Sequence, residues 1–127
     1  MRRNRFLTVT AVVETGAGVA LLTLPSAVVE LLCGMTTSSP ETLTLGRVLG
    51  AALVAVSLAC WVGRNDPGYA VKVGLMAAVL LYNVAVALLL AYGGVTLNLT
   101  GVLLWPAVAV HTALAVWCLA CLWQNAP

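Results

Sequence analysis

Charged side chains are scarce in this chain: Lys and Arg together number 6, and Asp and Glu together number 4, among 127 residues. A soluble domain carries about a quarter charged residues, whereas this chain is 8% charged and 62% hydrophobic. Such a chain folds only where lipid replaces water around most of its surface. The few basic residues form no patch, so nucleic-acid binding is not expected.

Residues that carry out chemistry are equally few. The chain has a single histidine, His111, and no His-x-x-x-His or Glu-x-x-His pattern accompanies it, so no metal site is expected. No nucleophile motif or phosphate-binding loop is present either. The sequence therefore favours a non-catalytic protein over an enzyme, with no resident cofactor.

Long apolar runs, in contrast, dominate the chain. A segment of about 20 apolar residues spans the hydrocarbon of a bilayer as a helix, and four such segments are predicted, over 6–24, 40–62, 69–92 and 101–123. Short connections between them favour an up-down-up-down bundle. We predict an all-α fold, an integral membrane four-helix bundle, in which 1–127 form a single transmembrane domain.

Proline, serine and glycine residues indicate where these helices begin, bend or pack closely. Pro25 interrupts the first, so 26–33 form either a kinked extension or a short interfacial helix. Ser39 is the predicted N-cap of the second helix, which also carries a G-x-x-x-G pattern at 46–50 that lets another helix approach closely. Pro106 predicts a bend near the start of the fourth helix.

Basic residues indicate the orientation. Five of the six lie on one side of the predicted membrane, and Arg47 alone lies toward the other; the five are Arg2, Arg3, Arg5, Arg64 and Lys72. Because basic residues stay cytoplasmic, we expect a multi-pass protein of the bacterial inner membrane with both termini cytoplasmic. A signal peptide also begins with basic residues, but Glu14 inside the apolar run favours a retained helix.

Each predicted helix contributes one strongly polar residue at membrane depth: Glu14, Arg47, Asn83 and His111. An ionised side chain in mid-bilayer costs at least ~2.5 to 3.5 kcal/mol, so these groups should face the interior of the bundle. We expect Glu14 to pair with Arg47, with Asn83 or His111 as a bridge. The alternative is that Arg47 reaches outward to an acidic residue near the membrane surface, which leaves Glu14 beside His111 or neutral.

Two interpretations of this polar set stay open. Its members either hydrogen-bond only to fix how the helices pack, or they line a small-molecule, quinone or proton site, with Tyr82 and Trp105 as pocket walls. Cys118 and Cys121 have the spacing of a redox pair, but they lie at the predicted cytoplasmic end, where thiols stay reduced. We interpret both as small packing residues.

The first two helices resemble a family. The pattern Glu14-x-x-x-Gly18-x-x-Leu21-Leu22-x-x-Pro25, then Arg47-x-x-Gly50-Ala51 and Ala59-Cys60-Trp61, is similar to that of small bacterial four-span membrane proteins that are loosely DoxX-like. Some members of that group are associated with quinone-linked redox complexes. The resemblance implies that Glu14 and Arg47 are the residues of interest and that quinone is a candidate ligand.

A second resemblance concerns Glu14 alone. Small multidrug transporters also have four short helices and an essential glutamate in the first helix. The aromatic and glycine-rich motifs of their second and third helices are absent here, and Arg47 disfavours cationic cargo beside Glu14.

These observations lead to two functional hypotheses. The first is an accessory, non-catalytic membrane protein with a buried polar cluster, surrounded by lipid and assembled with other membrane proteins or with copies of itself. The second is a small-molecule protein that binds or transports a quinone, a lipid-like ligand or a proton-coupled export substrate through Glu14.

Overall fold

The computed structural model describes residues 2–36 and 39–123, which form helices and no strand. The helices are α1 (Arg2–Thr23), α2 (Pro25–Cys33), α3 (Pro40–Gly63), α4 (Tyr69–Thr96) and α5 (Leu104–Trp123). All except the short α2 are long and apolar enough to cross a membrane. The prediction of an all-helical fold is therefore confirmed for the described residues, and four of the helices have the length and apolar character that the predicted spans require.

Three helix bounds differ from the predicted ones by three or four residues: α1 begins at Arg2 rather than at Phe6, and the other two lie around the last connection. α4 continues through Gly93 and Gly94 to Thr96, and both glycines pack against apolar side chains that follow them in the chain, Gly93 against Leu99. The last helix begins at Leu104 rather than at Gly101. The reason lies in how Gly101 packs against α2.

The connection between α4 and α5 is hydrogen-bonded to the C-terminal end of α2. The Thr100 amide donates to the Cys33 carbonyl at 3.3 Å and the Leu103 amide donates to the Leu31 carbonyl at 2.9 Å. Gly101 is buried directly against the α2 backbone, where an added Cβ would overlap main-chain atoms. The two bonds satisfy carbonyls that the end of a helix leaves unpaired, so α2 and this connection form one unit.

Gly34 closes the same end of α2. This residue has a φ of 75°, the left-handed conformation that glycine adopts without strain, and its amide donates to the Glu30 carbonyl. α2 begins at Pro25, and Leu24, its N-cap, is the one residue between it and the end of α1. The segment predicted as an extension or a separate helix is thus a separate helix of nine residues.

Two other prolines also lie at helix starts. Pro40 is the first residue of α3, and the Ser39 hydroxyl accepts the Thr42 amide at 3.5 Å, as the sequence predicted. Pro106 lies in the first turn of α5, because that helix begins later than predicted. At that position the missing N–H has no intrahelical acceptor to lose, so the physical basis for the predicted bend is absent.

α1 and α3 cross at glycine. Gly18 and Gly50 face each other so closely that a Cβ added to Gly50 would lie 2.8 Å from the Gly18 carbonyl oxygen, and one added to Gly18 would lie 2.9 Å from the Gly50 oxygen. Gly46, one turn earlier, faces Pro25. The 46–50 pattern therefore receives α1, which agrees with its expected role.

The apolar core lies in the half of the molecule that contains the start of α1. All four long helices contribute to it, and its buried members are Phe6, Leu7, Ala11, Cys60, Met76, Val79, Leu114, Cys118 and Cys121. Phe6 also packs edge-on against Trp117, with ring centroids 5.7 Å apart. α1 packs mainly on α3 and α4 mainly on α5, with sparser contact between these two helix pairs.

Candidate functional site: a polar cluster inside the membrane

Glu14 lies at the centre of the inner face of α1 and is 1% exposed. Its Oε2 accepts a hydrogen bond from the Tyr82 hydroxyl at 3.0 Å. Its Oε1 is buried and has no hydrogen-bond partner among residues 2–36 and 39–123. A single hydroxyl compensates an ionised carboxylate only in part, since a buried charge needs a counter-charge or several donors.

Asn83 and His111 form the second half of the cluster. The Asn83 Nδ2 donates to the Val79 carbonyl at 2.8 Å, and the His111 Nδ1 lies 2.9 Å from the Asn83 Oδ1. The bond to Val79 fixes which end of the amide is oxygen. Because that oxygen only accepts, the His111 Nδ1 carries the hydrogen, and in the neutral ring Nε2 is left as the acceptor.

Tyr82 joins the two halves. Its hydroxyl binds Glu14, while its ring packs edge-on against the His111 ring with centroids 5.7 Å apart. The structure thus brings together Glu14, Tyr82, Asn83 and His111, which we call the polar cluster, from α1, α4 and α5. The Tyr82 hydroxyl donates to the Glu14 carboxyl group, and His111 is the third titratable residue of the cluster.

Arg47 does not belong to the polar cluster. Its side chain is exposed, and within the described part of the chain no ion pair or hydrogen bond joins it to Glu14. The predicted Glu14–Arg47 pair is therefore not formed. The backbone explains this, since Gly46 and Gly50 face α1 and Arg47, the neighbour of Gly46, is turned away from it.

Trp105 also lies apart from the polar cluster. It is 53% exposed and packs beside Gly94, where an added Cβ would come within 3.0 Å of its ring. Its position near the start of α5 suits an aromatic residue at a membrane interface. It lines neither the groove between α1 and α3 nor the cavity at the start of α1 and α4.

The larger cavity is a groove between α1 and α3 of about 550 Å³. Its lining consists of Ala11, Val12, Thr15, Gly16, Val54, Ser57, Leu58 and Trp61. The two hydroxyls in it are already used, because Thr15 and Ser57 donate to the Ala11 carbonyl at 2.8 and 2.7 Å. Sequence reasoning missed both residues, although each is a small polar residue in an apolar run.

Thr10 is a further polar residue that sequence reasoning did not single out. It is fully buried, and its hydroxyl has no hydrogen-bond partner in the described segments. It lies one turn before Glu14 on the same face of α1. The inner face of α1 therefore holds two buried oxygens, Thr10 Oγ1 and Glu14 Oε1, on residues one turn apart, and neither has a partner in the described segments.

Three of the four cysteines are part of the apolar core. Cys118 and Cys121 are 0% and 2% exposed, and the Cys118 thiol donates to the Met76 carbonyl at 3.3 Å. Cys60 is buried as well, whereas Cys33 at the end of α2 is partly exposed. Thiol exchange requires that a partner thiol reach the sulfur, which this packing prevents.

Thiol labelling tests that arrangement. In the folded protein in mild detergent, a maleimide should label Cys33 alone, and all 4 cysteines should react after denaturation, because burial protects the other three. Mass spectrometry gives the number of labels, and Cys33→Ser should abolish labelling of the folded protein. Rapid labelling of Cys118 or Cys121 before unfolding would contradict the packing described here.

Comparison with known proteins adds no relative. No protein-family model matches the chain, and neither the curated proteins nor the solved structures show a match to it.

Proposed function

We propose that this protein is an accessory, non-catalytic protein of the bacterial inner membrane whose polar cluster holds its two helix pairs together within a larger membrane assembly. The observation that carries this proposal is the burial of Glu14 and Asn83, which are 1% and 0% exposed. Tyr82 and His111 are partly exposed, but neither of the two cavities is lined by a residue of the cluster. Neither cavity therefore gives a substrate access to the Glu14 carboxyl group or the Asn83 amide.

The position of the polar cluster supports a role in holding the helices. The bond from Tyr82 to Glu14 joins α4 to α1, which belong to different helix pairs, and the contact of His111 with Asn83 joins α5 to α4. Hydrogen bonds between membrane helices contribute about 0.6 to 2 kcal/mol each. They also fix rotation, because a polar group turned toward lipid loses its partner.

The outer surface supports an assembly. α4 is the longest helix, and large apolar side chains project from it along its length, among them Val71, Leu81, Leu88, Leu89, Tyr92 and Val95, each more than half exposed. Lipid covers such a surface, and partner helices pack on it equally well. We extend the proposal to an up-down-up-down arrangement with cytoplasmic termini, based on the basic residues near 2–5 and 64–72.

Cys33 provides the test of that orientation, because the arrangement places it on the periplasmic side. A membrane-impermeant maleimide should label it in cells whose outer membrane has been made permeable. Labelling only after the inner membrane is lysed would reverse the orientation.

The second candidate function is binding of a proton or a small molecule by Glu14. The observation that favours it is the Glu14 Oε1, a buried oxygen that has no partner among the described residues; the Thr10 hydroxyl, one turn earlier on α1, has none there either. The resemblance of the first two helices to DoxX-like proteins adds quinone as the ligand to test. A ligand could reach this place only if the helix pairs separate.

Purification in mild detergent distinguishes the two candidates. We expect a complex of defined stoichiometry, heavier than the 13.1 kDa chain, with no quinone or other small molecule that depends on Glu14. Size-exclusion chromatography with light scattering and mass spectrometry of the bound molecules measure both quantities. A stoichiometric ligand that is lost in Glu14→Gln but retained in Glu30→Gln, a matched change at an exposed site, would refute the accessory role.

A further inference from the structure

The second cavity lies at the end of the molecule where α1 and α4 begin. It has a volume of about 230 Å³ and is lined by Arg3, Asn4, Asp66, Pro67, Gly68, Tyr69 and Lys72. We propose that it binds the phosphate of an anionic phospholipid headgroup, with Arg3 and Lys72 as the binding residues.

The charge of the cavity supports this assignment. Arg3 and Lys72 are its cations, and in the described part of the chain no carboxylate forms an ion pair with either of them. Asp66, the acidic residue of the lining, accepts the Gly68 amide with its Oδ1 at 2.5 Å and so is used within the turn. The cavity keeps a net positive charge, which a monoanionic phosphodiester neutralises.

Arg3 is held in a fixed position at this cavity. Its Nε donates to the Cys121 carbonyl at 3.3 Å, and its guanidinium lies 5.2 Å from the centroid of the Tyr69 ring. Its Nη2 is buried without a hydrogen-bond partner in the described segments. The guanidinium is thus oriented by α4 and α5 before any ligand arrives. Within the described segments no hydrogen bond uses its Nη1, which is left to donate to a ligand, and planar guanidinium groups suit phosphate oxygens.

Lys72 completes the pair of binding residues. Its Nζ donates to the Asn4 Oδ1 at 3.2 Å, which uses one of the three ammonium hydrogens and leaves two for an anion. The bond also draws the start of α4 to the start of α1. Lys72 and Arg3 therefore approach the cavity from two helices that the ligand would bridge.

Backbone dipoles add to the attraction. Both helices point their N-terminal ends toward the cavity, and α4 begins after Gly68, which offers no side chain to cap the first amides. Free amides and the helix dipole at such an end favour an anion. Their contribution reinforces the two cationic side chains.

The position of the cavity identifies a lipid as the source of the phosphate. It lies at the ends of two apolar spans, where headgroups meet the hydrocarbon, and basic pockets between membrane helices are typical sites for anionic headgroups. Soluble phosphate has the same chemistry but lacks the acyl chains that the neighbouring apolar helix surfaces would contact.

Native mass spectrometry of the protein in detergent tests the proposal. We expect phosphatidylglycerol to bind more tightly than phosphatidylcholine of the same acyl chains, and Lys72→Gln to weaken phosphatidylglycerol binding by about fivefold, as loss of one basic residue near an anionic surface predicts. Arg5→Gln removes the same charge from an exposed residue outside the cavity lining and should leave the affinity unchanged. Asp66→Asn should strengthen binding.

Three results would overturn the proposal. Equal affinity for the two lipids in the wild type would exclude a headgroup site, and an equal loss in Arg5→Gln and Lys72→Gln would show attraction by overall charge alone. Inorganic phosphate that displaces the lipid at equal concentration would make the site one for a soluble anion. Arg3→Gln also removes the bond to Cys121, so the conclusion depends on Lys72→Gln, which leaves that bond in place.

Discussion

Replacing Gly50 by alanine should lower the free energy of unfolding by about 2 to 3 kcal/mol, a cost typical of an overpacked core. The added Cβ would lie 2.8 Å from the Gly18 oxygen and 3.0 Å from both the Leu21 Cβ and the Leu22 nitrogen. Main-chain atoms cannot rotate away as the end of a long side chain can. α1 and α3 must therefore separate, and the contacts along their whole crossing weaken.

Gly16 provides the matched control for this substitution. It lies on α1 one half-turn from Gly18, but nothing comes within 4 Å of a Cβ added there. Gly16→Ala should be neutral, or stabilising by up to about 1 kcal/mol through helix propensity. Thermal unfolding in detergent, followed by circular dichroism, measures all variants. Equal effects at Gly50 and Gly16 would show that the crossing is less tight than described here.

The helices could be predicted because their signals are local. An apolar run of sufficient length, a serine before a proline, or a proline within the run each acts within a few residues. The end of α4 and the start of α5 were misplaced because their determinant is distant in sequence. Gly101 meets the backbone of α2, and no local pattern near 93–104 indicates that contact.

The polar cluster could be predicted only in part. Converting sequence position to depth selected Glu14, Asn83 and His111, but depth gives no direction around the helix axis. On α3 the inner face repeats at intervals of three and four residues, through Gly46, Gly50, Leu53, Ser57 and Cys60. At about 100° per residue, the neighbouring Arg47 falls about 100° from the centre of that face. The spacing of the inner-face residues of α3 in the sequence could therefore have excluded Arg47 from the polar cluster.

The partner of Glu14 was less accessible to prediction. Tyr82 was expected only as a pocket wall, because it precedes the buried Asn83 on α4 and adjacent residues point about 100° apart. Tyr82 and Asn83 nevertheless both belong to the polar cluster, because Glu14 on α1 and His111 on α5 lie on either side of α4. That placement depends on how two helix pairs meet, which is a property of the whole fold.

A double-mutant cycle between Glu14 and Tyr82 should show coupling of about 1 kcal/mol, within the range for hydrogen-bonded residues in contact. Glu14→Ala should cost about 2 to 4 kcal/mol, since it removes a buried side chain and leaves the Tyr82 hydroxyl unpaired. Tyr82→Phe should cost about 1 kcal/mol, and the double variant should lose less than the sum.

The matched cycle pairs Glu14→Ala with Arg47→Ala, which should be additive within about 0.5 kcal/mol because these side chains share no partner. Glu14→Gln should retain most of the stability, since its amide oxygen still accepts the Tyr82 hydroxyl. Free energies from denaturant titrations in mixed micelles provide all of these values. Coupling of Glu14 to Arg47 without coupling to Tyr82 would mean that the arginine, and not the tyrosine, faces the carboxyl group in the membrane. The cluster would then be a charged pair rather than the hydrogen-bonded contact through which α4 holds α1.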